Sequence, residues 1–244
     1  MNREAMSASR IARYQLRTTD VNAARAFYAD VLGAHIWGAD VTLALLPGPA
    51  VARGAAPHWL GHVHVGAREV EGTVGRLVAQ GGQLLVPMRT AGEGAAPAVV
   101  RDPFGALLGV SAETAAPPRE VVAWHVLHTR DHERAFALYA GLFGWTATGL
   151  LDPGPDGGVH QLFAWEESGR SVGSVSNAAR LPHIHPQWFF CFDVPDIEAA
   201  RTKVRARGGL ALAPMKLSSG ALVAPCGDPQ GAAFGLHQLA HGTG

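Results

Sequence analysis

His62 and His64 stand two residues apart in the run WLGHVHV, a spacing that aims both imidazoles at one side of an extended strand. With a third ligand such a pair could hold a divalent ion, since imidazole is a common zinc ligand. No third histidine or carboxylate stands at a suitable spacing. A second chemistry is acid–base or hydrogen-bonding work beside Arg13 and Arg17, which suits an anionic or carbonyl ligand. Arg13, Gln15 and Arg17 alternate along another strand-like run and so share a face. A third possibility is that all of these are hydrogen-bonded sheet residues without a ligand. His128 and Asp193 pose the same choice, between an oriented imidazole pair and a structural hydrogen bond. Trp124 and Phe189 add aromatic surface to the same faces.

Other groups carry less. His183 and His185 lie between Pro182 and Pro186 and read as a linker; His58 and His132 read as surface residues. His160 opens a strand after the turn beginning at Asp152 and is placed at a cavity rim. Cys226 has no base near it in sequence, so nothing supports a nucleophile there. Gly81-Gly82 and Gly208-Gly209 follow helices rather than precede them, unlike phosphate-binding loops.

The elements that must position these groups alternate. Residues 11–18 read as a strand and 20–32 as a helix, with Asp20 as N-cap and Gly33 beyond its end. Ala24, Phe27, Tyr28, Val31 and Leu32 form one apolar stripe on that helix. A strand over 59–65, a helix ending at Gly81, and strands near 83–87, 97–101 and 106–110 follow. Asp-Pro-Phe-Gly at 102–105 joins the last two as a type I turn. Alternation along the first strands then separates two faces. One carries Arg13, Gln15, Arg17, His62, His64, Trp124, His128, Phe189, Cys191 and Asp193; the other is mostly apolar and suits packing on helices.

The pattern occurs twice. Leu16, Thr18, Asp20, Tyr28 and Gly33 recur as Leu127, Thr129, Asp131, Tyr139 and Gly144. Pro57-His58-Trp59 recurs as Pro186-Gln187-Trp188, and Asp102-Pro103-Phe104-Gly105 as Asp228-Pro229-Gln230-Gly231. The offset drifts between these blocks, so insertions fall between units rather than inside them. The seam is the Pro-rich stretch from Ala115 to Arg119, giving two expected domains, 1–115 and 116–244. Each contains two strand–helix–strand–strand–strand units, the first of them abbreviated.

From Ile11 to Leu239 these motifs resemble the vicinal oxygen chelate superfamily, in its two-domain glyoxalase, bleomycin-resistance and dioxygenase branch. The resemblance implies an α+β fold of four tandem βαβββ modules, paired into two curved-sheet domains around cavities. It also implies where metal ligands would sit: early in each first strand, and at a Glu late in each fourth strand. Those positions hold Arg13, Leu60 and Gly109 in the first half, and Trp124, Phe189 and Gly235 in the second. Arginine repels a divalent ion, and leucine, phenylalanine and glycine offer no donor atom.

Composition bounds the rest. Of 244 residues, 48% are hydrophobic and 16% charged, which excludes a disordered polar chain. Lys plus Arg and Asp plus Glu total 20 each, which gives no basic footprint for nucleic acid or an anionic membrane. Neither a secretory signal nor a membrane-length apolar run is visible, and the two cysteines lack metal spacing; a cytoplasmic location is expected. The expected function is to hold a small organic molecule in a sheet-lined cavity without the usual metal site and with no cofactor. Whether a reaction is catalysed stays open. The alternative is a divalent-metal-dependent lyase or dioxygenase using displaced histidines such as His62, His64 or His128. A scaffold whose halves mainly stabilise each other is the non-catalytic reading. The expected partner is a small-molecule ligand, with the domains pairing within the chain and a homodimer possible in principle.

Overall fold

The computed structural model describes residues 9–89, 96–112, 119–152, 157–167, 169–217 and 219–240. The expected seam at 115–118, the turn residues 153–156 and the first eight residues lie outside them.

The chain begins with β1 (Ile11–Thr18), α1 (Val21–Leu32), β2 (Val41–Leu45) and the short α2 (Gly48–Ala52). A second module has β3 (His58–Val65), α3 (Val70–Ala79), β4 (Gln83–Val86), β5 (Ala98–Arg101) and β6 (Leu107–Ala112). The third has β7 (Val122–His128), α4 (His132–Phe143), β8 (Thr146–Leu151), β9 (His160–Ala164) and β10 (Gly173–Ser176). The fourth has β11 (Gln187–Asp193), α5 (Ile197–Ala206), β12 (Leu210–Ala211), β13 (Met215–Lys216), β14 (Leu222–Gly227) and β15 (Ala233–Gln238). β1 to β6 form a six-stranded sheet and β7 to β15 a nine-stranded one. The fold is α+β and modular, and the strand and helix bounds expected over residues 11–110 fall within a few residues of the observed ones.

In each module the first strand pairs in parallel with the last: β3 with β6, β7 with β10, β11 with β15. β1 pairs in parallel with β2 in the same way. The abbreviated first module has therefore kept its closing strand and lost the two in between.

Local chemistry explains the helices. Asp20 accepts from the backbone N–H of Asn22 and Ala23, both at 3.0 Å, which satisfies donors that have no intrahelical partner. Gly33 follows with φ +92°, a conformation that L side chains avoid. The α1 stripe is buried as the 3.6-residue period requires. Asp131 caps α4 through Arg134, and Gly144 ends it in the left-handed region. On α4, Ala135, Tyr139 and Phe143 are buried, while Leu138 and Leu142 are half-buried.

Two compact units emerge, and each draws on both halves of the sequence. Unit 1 comprises residues 1–12, 61–117 and 125–188; unit 2 comprises 13–60, 118–124 and 189–244. Unit 1 holds the strand runs β3-β6-β5-β4 and β7-β10-β9-β8. Its core gathers Tyr139, Trp145, Phe163 and Trp188, with Trp145 stacked on Phe163 at 4.8 Å. In unit 2, Tyr28 packs against Trp59 at 5.2 Å and against Phe234 at 5.1 Å, and Phe192 closes on Trp59 at 5.0 Å.

Each core has a buried polar centre. Tyr28 donates to Asp228 at 3.2 Å while Trp59 Nε1 donates to the Tyr28 oxygen at 3.0 Å. Tyr139 donates to Asp102 at 2.9 Å while Trp188 Nε1 donates to the Tyr139 oxygen at 3.2 Å. The other oxygen of each carboxylate accepts two turn N–H groups, from Phe104 and Ala106 or from Gln230 and Ala232. Burial and the neighbouring carboxylate raise both phenols well above their ordinary value, so the phenols remain the donors. Unit 2 adds a clamp through Gln230, where the matching turn residue of unit 1 is Phe104, which has no polar side-chain atom. Gln230 Oε1 accepts from the backbone N–H of Asp20 at 2.8 Å and of Thr19 at 3.0 Å, and its Nε2 donates to Asp20 O at 3.0 Å.

Candidate functional site

The polar sheet faces are described unit by unit. In unit 1, His62 stands opposite Gly109 and His64 opposite Ser111 along the β3–β6 ladder. Both imidazoles are buried. A Cβ built on Gly109 would meet His62 Nδ1 at 2.2 Å, so the imidazole occupies the space a larger residue would need. Glycine is required there because the His62 ring lies directly on the neighbouring backbone.

The second polar run of unit 1 crosses β7, β10 and β9. His128, Ser176 and His160 share one row of the register, with Val126, Ser174 and Leu162 one repeat away on the same face. His160 Nε2 donates to Gly157 O at 3.2 Å, which leaves Nδ1 to accept the Ser174 hydroxyl at 3.0 Å. Burial, then the proximity of His160, pushes His128 down to about 4; burial likewise lowers His160. Both imidazoles are neutral at pH 7. On the opposite face of β7, buried His125 bonds Val172 O at 2.9 Å, and burial takes it down to about 4.

In unit 2, Arg13, Gln15 and Arg17 occupy the half-buried positions of β1, between buried Tyr14, Leu16 and Thr18. Arg17 Nε donates to Gln15 Oε1 at 3.1 Å, and burial lowers the guanidinium pKa. His58, expected at the surface, instead opens β3 and is half-buried. Its Nδ1 bonds Ala56 O at 2.8 Å; burial, and to a smaller extent the Arg17 charge, lowers its pKa despite that bond. Trp124 is half-buried and Phe189 buried.

Asp193 has a different imidazole from the one the sequence suggested. It accepts from His237 Nδ1 at 2.5 Å, the residue facing it on β15. An open depression of about 390 Å³ beside it is lined by Asp193, Val194, Pro195, Leu239 and Ala240. At Gly235 a Cβ would meet Cys191 Sγ at 2.4 Å and Phe189 Cε1 at 2.9 Å. Both cysteines are buried free thiols; burial raises Cys191 strongly and Cys226 to about 12, which removes thiolate reactivity.

Sequence reasoning missed three participants: His58, the His160–Ser174 pair and His237. The signal for His237 was the parallel pairing of first and closing strands, and for His160 and Ser174 the antiparallel pairing of β9 with β10, which sets residues of two strands side by side. For His58 no signal existed, because the turn before β3 hides how far that strand extends. Among the described residues no group of three or more His, Cys, Asp or Glu is gathered as for a metal ion. No helix among them is long and apolar enough to cross a membrane.

A family model described as Glyoxalase/Bleomycin resistance protein/Dioxygenase superfamily matches residues 10–110 and again 122–236. The chain is 26% identical over 248 residues to CFP32 of Mycobacterium tuberculosis, whose name carries a provisional glyoxylase assignment; the match covers 91% of each. Among solved structures, the 2,3-dioxygenase LapB from Pseudomonas sp. KL28 is similar, with a TM-score of 0.65 at 13% identity. That match covers 97% of this chain and 94% of LapB. The Mn(II)-bound glyoxalase from Novosphingobium aromaticivorans is similar with a TM-score of 0.61 at 14% identity, covering 97% of this chain and 83% of that one. At these identities the two structures bear on the fold.

Proposed function

Since the chain belongs to the Glyoxalase/Bleomycin resistance protein/Dioxygenase superfamily, we propose that it holds a small organic molecule against its polar sheet faces without the usual metal. One observation carries the reading. At Gly109, where the resemblance puts a metal-binding Glu, the His62 imidazole already fills the space beside the backbone. Gly235 repeats this, with Cys191 and Phe189 in the same role. The matching first-strand positions hold Arg13, Leu60, Trp124 and Phe189, a set whose chemistry does not fit a divalent ion. No step of any reaction is therefore routed through a metal.

The chain's own groups supply recognition. Arg13 and Arg17 give cationic donors on β1, and His58 gives an imidazole near Arg17. In unit 1, taken by itself, His62 and His64 give ring nitrogens on β3. Such groups suit a ligand with carboxylate or carbonyl oxygens. The test uses protein purified without a histidine tag. Elemental analysis is expected to find well under one equivalent of Mn, Fe, Ni or Zn. A thermal-shift screen of aromatic and carbonyl-bearing acids is expected to find binders. A stoichiometric metal, or no binder in the screen, would overturn the reading.

A further inference from the structure

Arg17 and His58 each carry an unmet hydrogen-bonding need, and the two needs are complementary. The Arg17 guanidinium is half-buried, its Nε is committed to Gln15, and no carboxylate among the described residues pairs with it. A guanidinium withdrawn from water without a counter-charge is costly, and its Nη edge presents a fork of donors that matches a carboxylate. His58 Nδ1 lies against Ala56 O and so carries the proton, which makes Nε2 of the neutral ring an acceptor. That Nε2 is buried and has no hydrogen-bond partner. A buried acceptor left unmade is the kind of group that calls for an occupant. β1 and β3 are neighbours in the sheet, and the His64 N–H donates to Arg10 O at 3.0 Å, which sets the start of β3 beside the end of β1 and the His58 ring near the Arg17 charge.

We propose that Gln15, Arg17 and His58 form a subsite for a small organic acid bearing a hydroxyl next to its carboxylate. The carboxylate takes the Nη edge of Arg17, which Gln15 holds in place through Nε. The hydroxyl donates to His58 Nε2. A plain carboxylate satisfies Arg17 but leaves Nε2 without a donor, and a neutral alcohol does the reverse. This assignment rests on the binding reading above and names its ligand class.

Isothermal titration at neutral pH with salicylate, benzoate and phenol tests it. Salicylate carries both groups, and each of the others carries one. Salicylate is expected to bind about tenfold or more tightly than either. Arg17→Gln is expected to bring salicylate down to the level of phenol, and His58→Phe to the level of benzoate. Arg17→Lys keeps the charge without the fork and is expected to fall between. If a variant fails to fold, the ranking of the three probes on the unaltered chain still decides. Salicylate binding no tighter than benzoate, or indifferent to Arg17→Gln and His58→Phe, overturns the subsite. A screen that finds other ligands untouched by these substitutions would overturn the subsite alone, whereas a stoichiometric metal would overturn the binding reading itself.

Discussion

Tyr28 donates a hydrogen bond to Asp228, 200 residues further along the chain, and both groups are buried. Tyr139 does the same to Asp102, in the opposite direction along the sequence. The helix of each half is thus fastened to the closing turn of the other.

Removing one phenol oxygen should be costly. Tyr28→Phe leaves Asp228 Oδ2 and Trp59 Nε1 unpaired in the interior of unit 2. A loss of about 1–3 kcal/mol is expected from urea denaturation. Tyr139→Phe should act alike on Asp102 and Trp188. A change below a few tenths of a kcal/mol would mean that these bonds do not hold the units.

Gly109 should not tolerate a side chain while His62 is present. Gly109→Ala is expected to destabilise by about 1–3 kcal/mol, because the new Cβ competes with the His62 ring. In a His62→Ala background the same substitution should be close to neutral. The readout is the coupling energy of a double-mutant cycle. Simple additivity would show that the imidazole moves aside freely.

Separated halves should not fold alone. A fragment of residues 1–115 keeps Tyr28 but lacks Asp228, and one of residues 116–244 keeps Tyr139 but lacks Asp102. Circular dichroism and gel filtration are expected to show each fragment unfolded or associated, and folded structure to return on mixing. Two well-folded monomers would contradict this.

The buried carboxyls and the buried imidazoles should pull stability in opposite directions across acidic pH. Burial raises Asp102 and Asp228 above the usual carboxylate range. Their contribution is complete below the unfolded-state value and is lost as pH rises through the raised folded value. Burial lowers His125 and His128 to about 4. Their contribution is complete above the ordinary 6.5 and is lost as pH falls toward 4. Each histidine that must be protonated on unfolding adds a slope of about 1.4 kcal/mol per pH unit in that window. Denaturation midpoints across this range, with imidazole proton shifts from NMR, give the measurement. An imidazole that titrates near 6.5 in the folded state would refute its burial.

The modules were legible because they are built from local signals. Asp20 before an apolar stripe, Gly33 after it, and the Asp-Pro-x-Gly turns act over a few residues each. The repeat also placed Tyr28, Trp59 and Asp228 beside Tyr139, Trp188 and Asp102 as equivalents, without revealing that they meet. That step depends on which half supplies the partner, and the halves carry the same motif. The site was less legible for a similar reason. Alternation sorted Arg17 and His62 onto a face, but the partners of Asp193 and His160 depend on strand register. His58 depends on where β3 begins, and the short turn over residues 53–57 before it gives no periodic signal.

The crossed fastening also sets a timetable. All the segments of unit 1 have been synthesised by Trp188, whereas unit 2 waits for the hairpin around Asp228. At a synthesis rate of about 5–20 residues per second, the first helix spends roughly 10–40 seconds without the carboxylate it will bind. Its apolar stripe of Phe27, Tyr28, Val31 and Leu32 lacks its final packing for that interval. Helix α1 is therefore among the last elements of unit 2 to be secured, and the nascent chain's demand for chaperones should centre on residues 21–32.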